Sequence, residues 1–151
     1  MRYISAEGKQ GRVIIARLKP GQELVEGINL LLRDKKIKAG YIPVLLGGFK
    51  NLKINSMTLS KDEEDPENKV LEYREPLEYF GNGTIAQVDG KPSVHIHLAA
   101  AQSGNRSIGG HLISGEIVLL TEIVIVELLN VKITRRIDKD VSGKYQLLSF
   151  D

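Results

Sequence analysis

The stretch Val94-His95-Ile96-His97-Leu98-Ala99-Ala100-Ala101-Gln102-Ser103-Gly104-Asn105-Arg106-Ser107-Ile108-Gly109-Gly110-His111-Leu112-Ile113 reads as two strands joined by a turn. Val94, Ile96 and Leu98 alternate with His95, His97 and Ala99, the period of two that marks a half-buried strand. Ser103-Gly104-Asn105 supplies the turn chemistry. In an antiparallel hairpin the numbers of opposed residues have a constant sum, so pairing His97 with His111 centres the hairpin on Gly104, and register and turn agree. A shift of two residues, opposing His95 to His111, moves the centre to Ser103 and still keeps all three histidines on one face. Only a one-residue slip or a bulge separates them.

These are all the histidines of the chain. Strand residues two apart share a face and lie roughly 7 Å apart, so two imidazoles can lean onto one ion with bonds of about 2.0 to 2.1 Å. The surround on that face is small: Ser93, Ala99 and Ala101 on one strand, Ser107 and Gly109 on the other. The opposite face carries Val94, Ile96, Leu98, Ile108 and Leu112, an ordinary core set. Three neutral imidazoles form an open tetrahedral site with water or substrate in the fourth position. Zinc is the first expectation, while nickel, cobalt and iron also accept imidazole. A zinc-bound water, with its pKa brought to about 7, could serve as a nucleophile. The same pattern also fits a polar outer face without a ligand, and the two readings part on whether the rings meet. No general base is identified: Glu116 falls on the opposite face, Asp89 sits in a turn, and both read as solvated carboxylates.

Working outward, Asn82-Gly83 and Asp89-Gly90 read as turn dipeptides bracketing Thr84–Val88. Further strands are expected over Ile117–Leu129 and Val131–Ile137, the latter with Lys132, Thr134 and Arg136 on one side and Val131, Ile133 and Ile137 on the other. Upstream, Arg12–Leu18 reads as a strand ended by Pro20-Gly21. A helix follows, with Leu24, Val25, Ile28, Leu31 and Leu32 on its buried face and Glu23, Glu26, Asn29, Arg33 and Lys36 toward water. Acidic residues early and lysines late match the helix dipole. Gly40–Leu46 and Leu52–Leu59 suggest a pair of strands around Gly47-Gly48. Lys61–Lys69, with its acidic run Asp62 to Asp65 and Pro66, reads as a solvated loop. One helix and many strands define an α+β, mainly antiparallel fold. No repeat or linker divides residues 1–151, so a single domain is expected.

The 151-residue length suits one hydrophobic core. The absence of cysteine excludes disulfides, thiolate metal sites and a cysteine nucleophile. A formal charge of only +2 implies no broad electrostatic footprint for nucleic acid or anionic membrane, so such binding would need a local patch. Met1–Gly11 is polar and lacks the apolar region of a secretory signal, which makes cytoplasmic residence the expectation. Ile117–Leu129 is interrupted by Thr121, Glu122 and Glu127 and is too short to span a membrane as a helix.

Taken together, Pro20-Gly21-Gln22-Glu23-Leu24, Gly47-Gly48, Gly83-Thr84-Ile85, Asp89-Gly90-Lys91-Pro92, His95-Ile96-His97-Leu98, Gly109-Gly110-His111-Leu112 and the strand Thr121–Leu128 resemble the PPC domain, the plants and prokaryotes conserved domain also called domain of unknown function 296. The resemblance covers roughly residues 10 to 130. It implies a compact sheet of about seven strands, mainly antiparallel and flanked by helices, assembling as a homotrimer. For stand-alone archaeal and bacterial members it implies a zinc site at His95, His97 and His111. Plant relatives add an Arg-Gly-Arg-Pro segment for the DNA minor groove; this chain has none. The trimer meets a second expectation, because Ile117–Leu129 is apolar at both strand parities and one helix cannot cover so much apolar surface: a partner subunit is the economical cover, and a second helix would also serve.

Three functions are compatible with these residues. The first is a metal-binding homotrimeric domain that binds or acts on a small molecule. The second is a DNA-binding or transcription-associated module using Lys132, Arg135, Arg136 and Lys139 as a basic edge. The third is a scaffold whose only role is self-assembly.

Overall fold

The computed structural model describes residues 3–58, 67–104, 106–139 and 142–150. Among these residues eight strands and one helix run in the order β1 (Lys9–Leu18), α1 (Leu24–Lys35), β2 (Gly40–Thr58), β3 (Glu67–Tyr73), β4 (Leu77–Val88), β5 (Lys91–Gln102), β6 (Arg106–Leu129), β7 (Ile133–Asp138) and β8 (Ser142–Phe150). They form one sheet ordered β3-β2-β6-β5-β4-β7-β8, with β1 added on β6 and β2 also paired to β4. Strands β2, β6, β5 and β4 therefore close into a ring of pairings. All pairings are antiparallel except the single parallel bridge of Gln87 to Thr134 between β4 and β7.

The expected α+β class thus becomes a fold that is mostly strand, with a mixed, mainly antiparallel sheet. The expected flanking helices reduce to one among the described residues. That helix forms as its spacing predicts and buries Leu24, Gly27, Ile28 and Leu32. Glu23 is not a solvated first-turn residue but the N-cap. Its carboxylate accepts from the Val25 and Glu26 amides at 3.1 and 2.8 Å and from Gly115 N of β6 at 3.1 Å. Lys36 ends the helix in the left-handed region at φ 57°. The helix packs on β5 and β6.

Two expected strand breaks do not occur. Gly40–Leu46 and Leu52–Leu59 are largely parts of the continuous β2, and Ile108–Ile113 and Ile117–Leu129 both lie within β6. Glycine serves close packing there instead of turning. A Cβ on Gly115 would collide with the Phe49 ring, which itself stacks on Tyr79 with centroids 4.0 Å apart. Register shifts in the β2–β6 pair between Gly47 and Phe49, opposite Thr121 and Ile117, form a bulge that turns Leu119 to the outside. Asn82-Gly83 is likewise not a turn. It lies inside β4 opposite His97 and Ile96, because a Cβ at Gly83 would come within 2.6 Å of the His95 carbonyl oxygen and only glycine permits that approach. Asp89-Gly90 is the turn expected of it, with φ values of 50° and 75°.

Strands β3 and β8 add to the expected set, and Glu67–Lys69 belongs to β3; the rest of the acidic loop, 61–66, lies outside the described residues, as does Asn105. The core is built from Leu24, Ile28, Leu32, Ile42, Phe49, Ile54, Ile85, Ile96, Ile117 and Ile125, all 1% exposed or less, each stabilising the fold by roughly 1.5 to 3 kcal/mol. The Tyr79 hydroxyl is buried against Thr121 Oγ1 at 2.5 Å, and burial pushes its pKa up to about 12. Among the described residues no helix is long and apolar enough to cross a membrane.

Candidate metal centre

Alternation along β5 decides which way the histidines face. Ile96 and Leu98 go into the core, which leaves His95 and His97 on the outer face. Across β6 the register is His97 to His111, followed by Leu98 to Gly110, Ala99 to Gly109 and Ala100 to Ile108. This is the pairing expected from the hairpin arithmetic, and Gly104 takes a φ of 81° at its centre. On the other sides His95 lies across from Thr84 of β4, His97 across from Asn82, and His111 across from Asn55 of β2. Glycines draw these strands together at the site. Gly83 lies against the His95 carbonyl, and Gly110 lies so near Asn55 that a Cβ would sit 2.6 Å from the Asn55 carbonyl oxygen.

The three rings meet. Centroids lie 5.0 Å apart for His95 and His97, 4.7 Å for His95 and His111, and 5.5 Å for His97 and His111. The Nε2 atoms of His95 and His97 are 3.0 Å apart, and one nitrogen from each ring falls in a set whose members all lie within 4.8 Å of one another. Two nitrogens bonded to one tetrahedral zinc are separated by roughly 3.3 Å, so the arrangement is near what a shared ion requires. His95 and His111 are half-buried and His97 is exposed. Burial first, then Arg135, His111 and His97, pull the His95 pKa down from 6.5 to about 4. Burial, then His97 and Arg135, lower that of His111. Both rings are therefore neutral near pH 7, the form that ligates metal. The donor set, all imidazole with no carboxylate in the cluster among the described residues, fits zinc or a neighbouring late transition metal.

The two carboxylates that read as solvated in the sequence stay apart from the cluster. Glu116 accepts from Lys50 Nζ and Asn51 Nδ2, each at 3.1 Å, and Asp89 occupies its turn. One residue departs from its expected place. Arg135 does not stand on a basic edge with Lys132, Arg136 and Lys139: it is 8% exposed, donating from Nη2 to Thr84 Oγ1 at 2.7 Å and placing Nη1 3.5 Å from His95 Nδ1. The signal lies in the pattern of β7: Arg135 shares parity with Ile133 and Ile137, so a cation stands on the apolar side.

A sheet closed around a helix-covered core, with three imidazoles gathered on its outer face, defines a small β-rich domain with a metal-ligand cluster. The family model of the Plants and Prokaryotes Conserved (PCC) domain matches residues 5–129, and the chain belongs to that family. A metal-containing protein of Archaeoglobus fulgidus superposes with a TM-score of 0.84 at 28% identity, covering 97% of this chain and 99% of that one. A plant- and prokaryote-conserved (PPC) protein of Pyrococcus horikoshii gives 0.80 at 27% identity, with 97% of each chain covered. The bifunctional protein GlmU of Synechococcus strain JA-3-3Ab is 30% identical over 128 residues, 84% of this chain; the chain spans only 19% of that protein.

Proposed function

We propose that the protein is a stand-alone metal-binding domain in which His95, His97 and His111 hold zinc, and that three copies assemble as a homotrimer. The observation that carries the metal reading is the convergence of three imidazoles from two paired strands. The similar Archaeoglobus fulgidus protein, described as metal-containing, supports it. His95, His97 and His111 would hold the zinc, which would supply Lewis acidity toward a small molecule. The residues themselves supply a dry inner side, formed by Ile96, Leu98 and Leu112, and a ring orientation set by the β5–β6 register.

Assembly is supported by the outer face of the sheet. Ile15, Val124 and Val44 lie side by side across β1, β6 and β2, and Leu46 and Phe80 extend the patch onto β4. Ile15 is 79% and Phe80 69% exposed in the single chain. A contiguous apolar surface of this kind marks an interaction site, and a second and third copy are the occupants proposed here.

Metal analysis of protein purified without chelator tests the first part. About one equivalent of zinc per chain is expected. Less than a tenth of an equivalent of any transition metal, with none taken up on titration, overturns it. The DNA reading loses Arg135 from its basic edge; salt-sensitive binding to a DNA duplex, with no metal bound, would favour that reading instead.

A further inference from the structure

Arg135 stands in an unusual environment for a guanidinium. It is 8% exposed, and among the described residues its polar contacts are Thr84 Oγ1 at 2.7 Å and Thr84 O at 3.4 Å, both from Nη2, and His95 Nδ1 at 3.5 Å from Nη1. Its Nε is buried with no partner. Buried arginines are normally matched by a carboxylate or another anion, because an unpaired charge out of water is costly. None is in place here among the described residues.

A metal on the triad sharpens the problem. A divalent ion on the three imidazoles beside Arg135 would concentrate positive charge with no carboxylate in the cluster among the described residues to offset it. The charged side chain that reaches His95 is itself a cation, Arg135. A second conflict is local. An imidazole that ligates through Nε2 carries its proton on Nδ1, and metal-bound histidines usually donate that N–H to a carboxylate or carbonyl. Here the group facing Nδ1 is Arg135, which can only donate. With metal bound, two donors face each other across 3.5 Å.

One kind of ligand relieves the missing countercharge, the unpaired Nε and the opposed donors together. Resting on the metal site proposed for the three histidines, we infer that Arg135 is the anion-binding residue of that centre, and that a small oxyanion, carboxylate or phosphate, docks on its guanidinium beside His95. Arginine's fork suits both groups. Arg135 lies beyond the span 5–129 matched by the family model, so β7 brings the cation from outside that span.

Anion and metal must then strengthen each other by the same factor, since binding free energies are reciprocal. The test is cobalt titration of the full chain, followed by its visible absorption. It is run at fixed ionic strength in perchlorate, with and without inorganic phosphate or acetate, in the wild-type protein and in Arg135→Met. Either anion is expected to tighten cobalt binding at least fivefold in the wild type. Arg135→Met is expected to bind cobalt more tightly than wild type without anion and to lose the coupling. A response to phosphate alone, or to acetate alone, supports the inference and names the anion. Stoichiometric cobalt in the wild type with no response to either anion overturns this inference and leaves the metal centre standing. Failure to bind cobalt at all removes both. If Arg135→Met does not fold, Arg135→Lys, which keeps the charge but not the fork, is expected to retain less than half of the coupling; full coupling would overturn the role of the guanidinium.

Discussion

His97 lies directly opposite His111 in the β5–β6 pair, and this one register carries the third imidazole to the other two. Because side chains alternate along a strand, a slip of one residue would send His111 into the core and bring Gly110 or Leu112 to its place.

The first prediction uses the difference in exposure among the ligands. His97 is exposed and has no role in the core, so His97→Ala should remove a ligand at little structural cost. Bound zinc should fall from about one equivalent to under a tenth, while the thermal midpoint of the metal-stripped protein should stay close to wild type, as for surface substitutions generally. Elemental analysis together with circular dichroism checks this. Full zinc occupancy in His97→Ala would show that the triad is not the binding site.

The second concerns the backbone beneath the site. A Cβ on Gly83 would meet the His95 carbonyl oxygen at 2.6 Å, and a backbone atom cannot rotate away. Gly83→Ala should therefore force β4 from β5 and cost about 1 to 3 kcal/mol, the range for overpacking. Zinc affinity should fall with it, because His95 moves with the strand. Denaturant unfolding and zinc titration of the same variant read both effects; unchanged values in both would mean the strands are not held this closely.

How much of the molecule is legible in its sequence depends on whether the deciding contact is local. The β5–β6 register is legible because a turn residue and a symmetric pairing constrain each other: His97 and His111 are equidistant from Gly104. Helix α1 is legible from the spacing of Leu24, Ile28 and Leu32. Asn82-Gly83 misleads because glycine serves either a turn or a close approach, and the carbonyl that requires it here, that of His95, belongs to another strand. Strands β3 and β8 escape because neither Glu67–Tyr73 nor Ser142–Phe150 shows a clean apolar alternation; both end the sheet, where one neighbour suffices. Arg135 shows itself only as a charge at the parity of Ile133 and Ile137, and nothing local to β7 says that His95 lies beside it.

The third prediction addresses assembly. If the outer apolar patch joins copies of the chain, a charge at its most exposed positions should prevent the contact. Ile15→Glu combined with Phe80→Glu replaces side chains that are 79% and 69% exposed in the single chain, so the fold itself should tolerate both. Sedimentation equilibrium should give three times the chain mass for wild type and a single chain mass for the double variant. A wild type that sediments as a single chain would end the trimer proposal.

The last prediction is a pH dependence. Glu127 accepts from Arg12 Nε at 2.7 Å and Nη2 at 2.8 Å, and the same guanidinium donates to the Lys35 carbonyl at 2.8 Å, tying β1, β6 and the end of α1 together. The Arg12 hydrogen bonds hold the Glu127 carboxyl below its ordinary value of 4.5. A carboxyl whose pKa is lower folded than unfolded stabilises the fold above the unfolded value, and the contribution fades as pH falls through the folded one. Arg12→Met should therefore lower the thermal midpoint at pH 7, and the gap from wild type should shrink as pH is taken below about 4.5. Glu127→Gln, which cannot ionise, should remove this part of the acid dependence. Scanning calorimetry from pH 7 to 3 on the three proteins decides it: a gap that stays constant across the range would mean that the carboxylate's charge plays no part in holding β1 to β6.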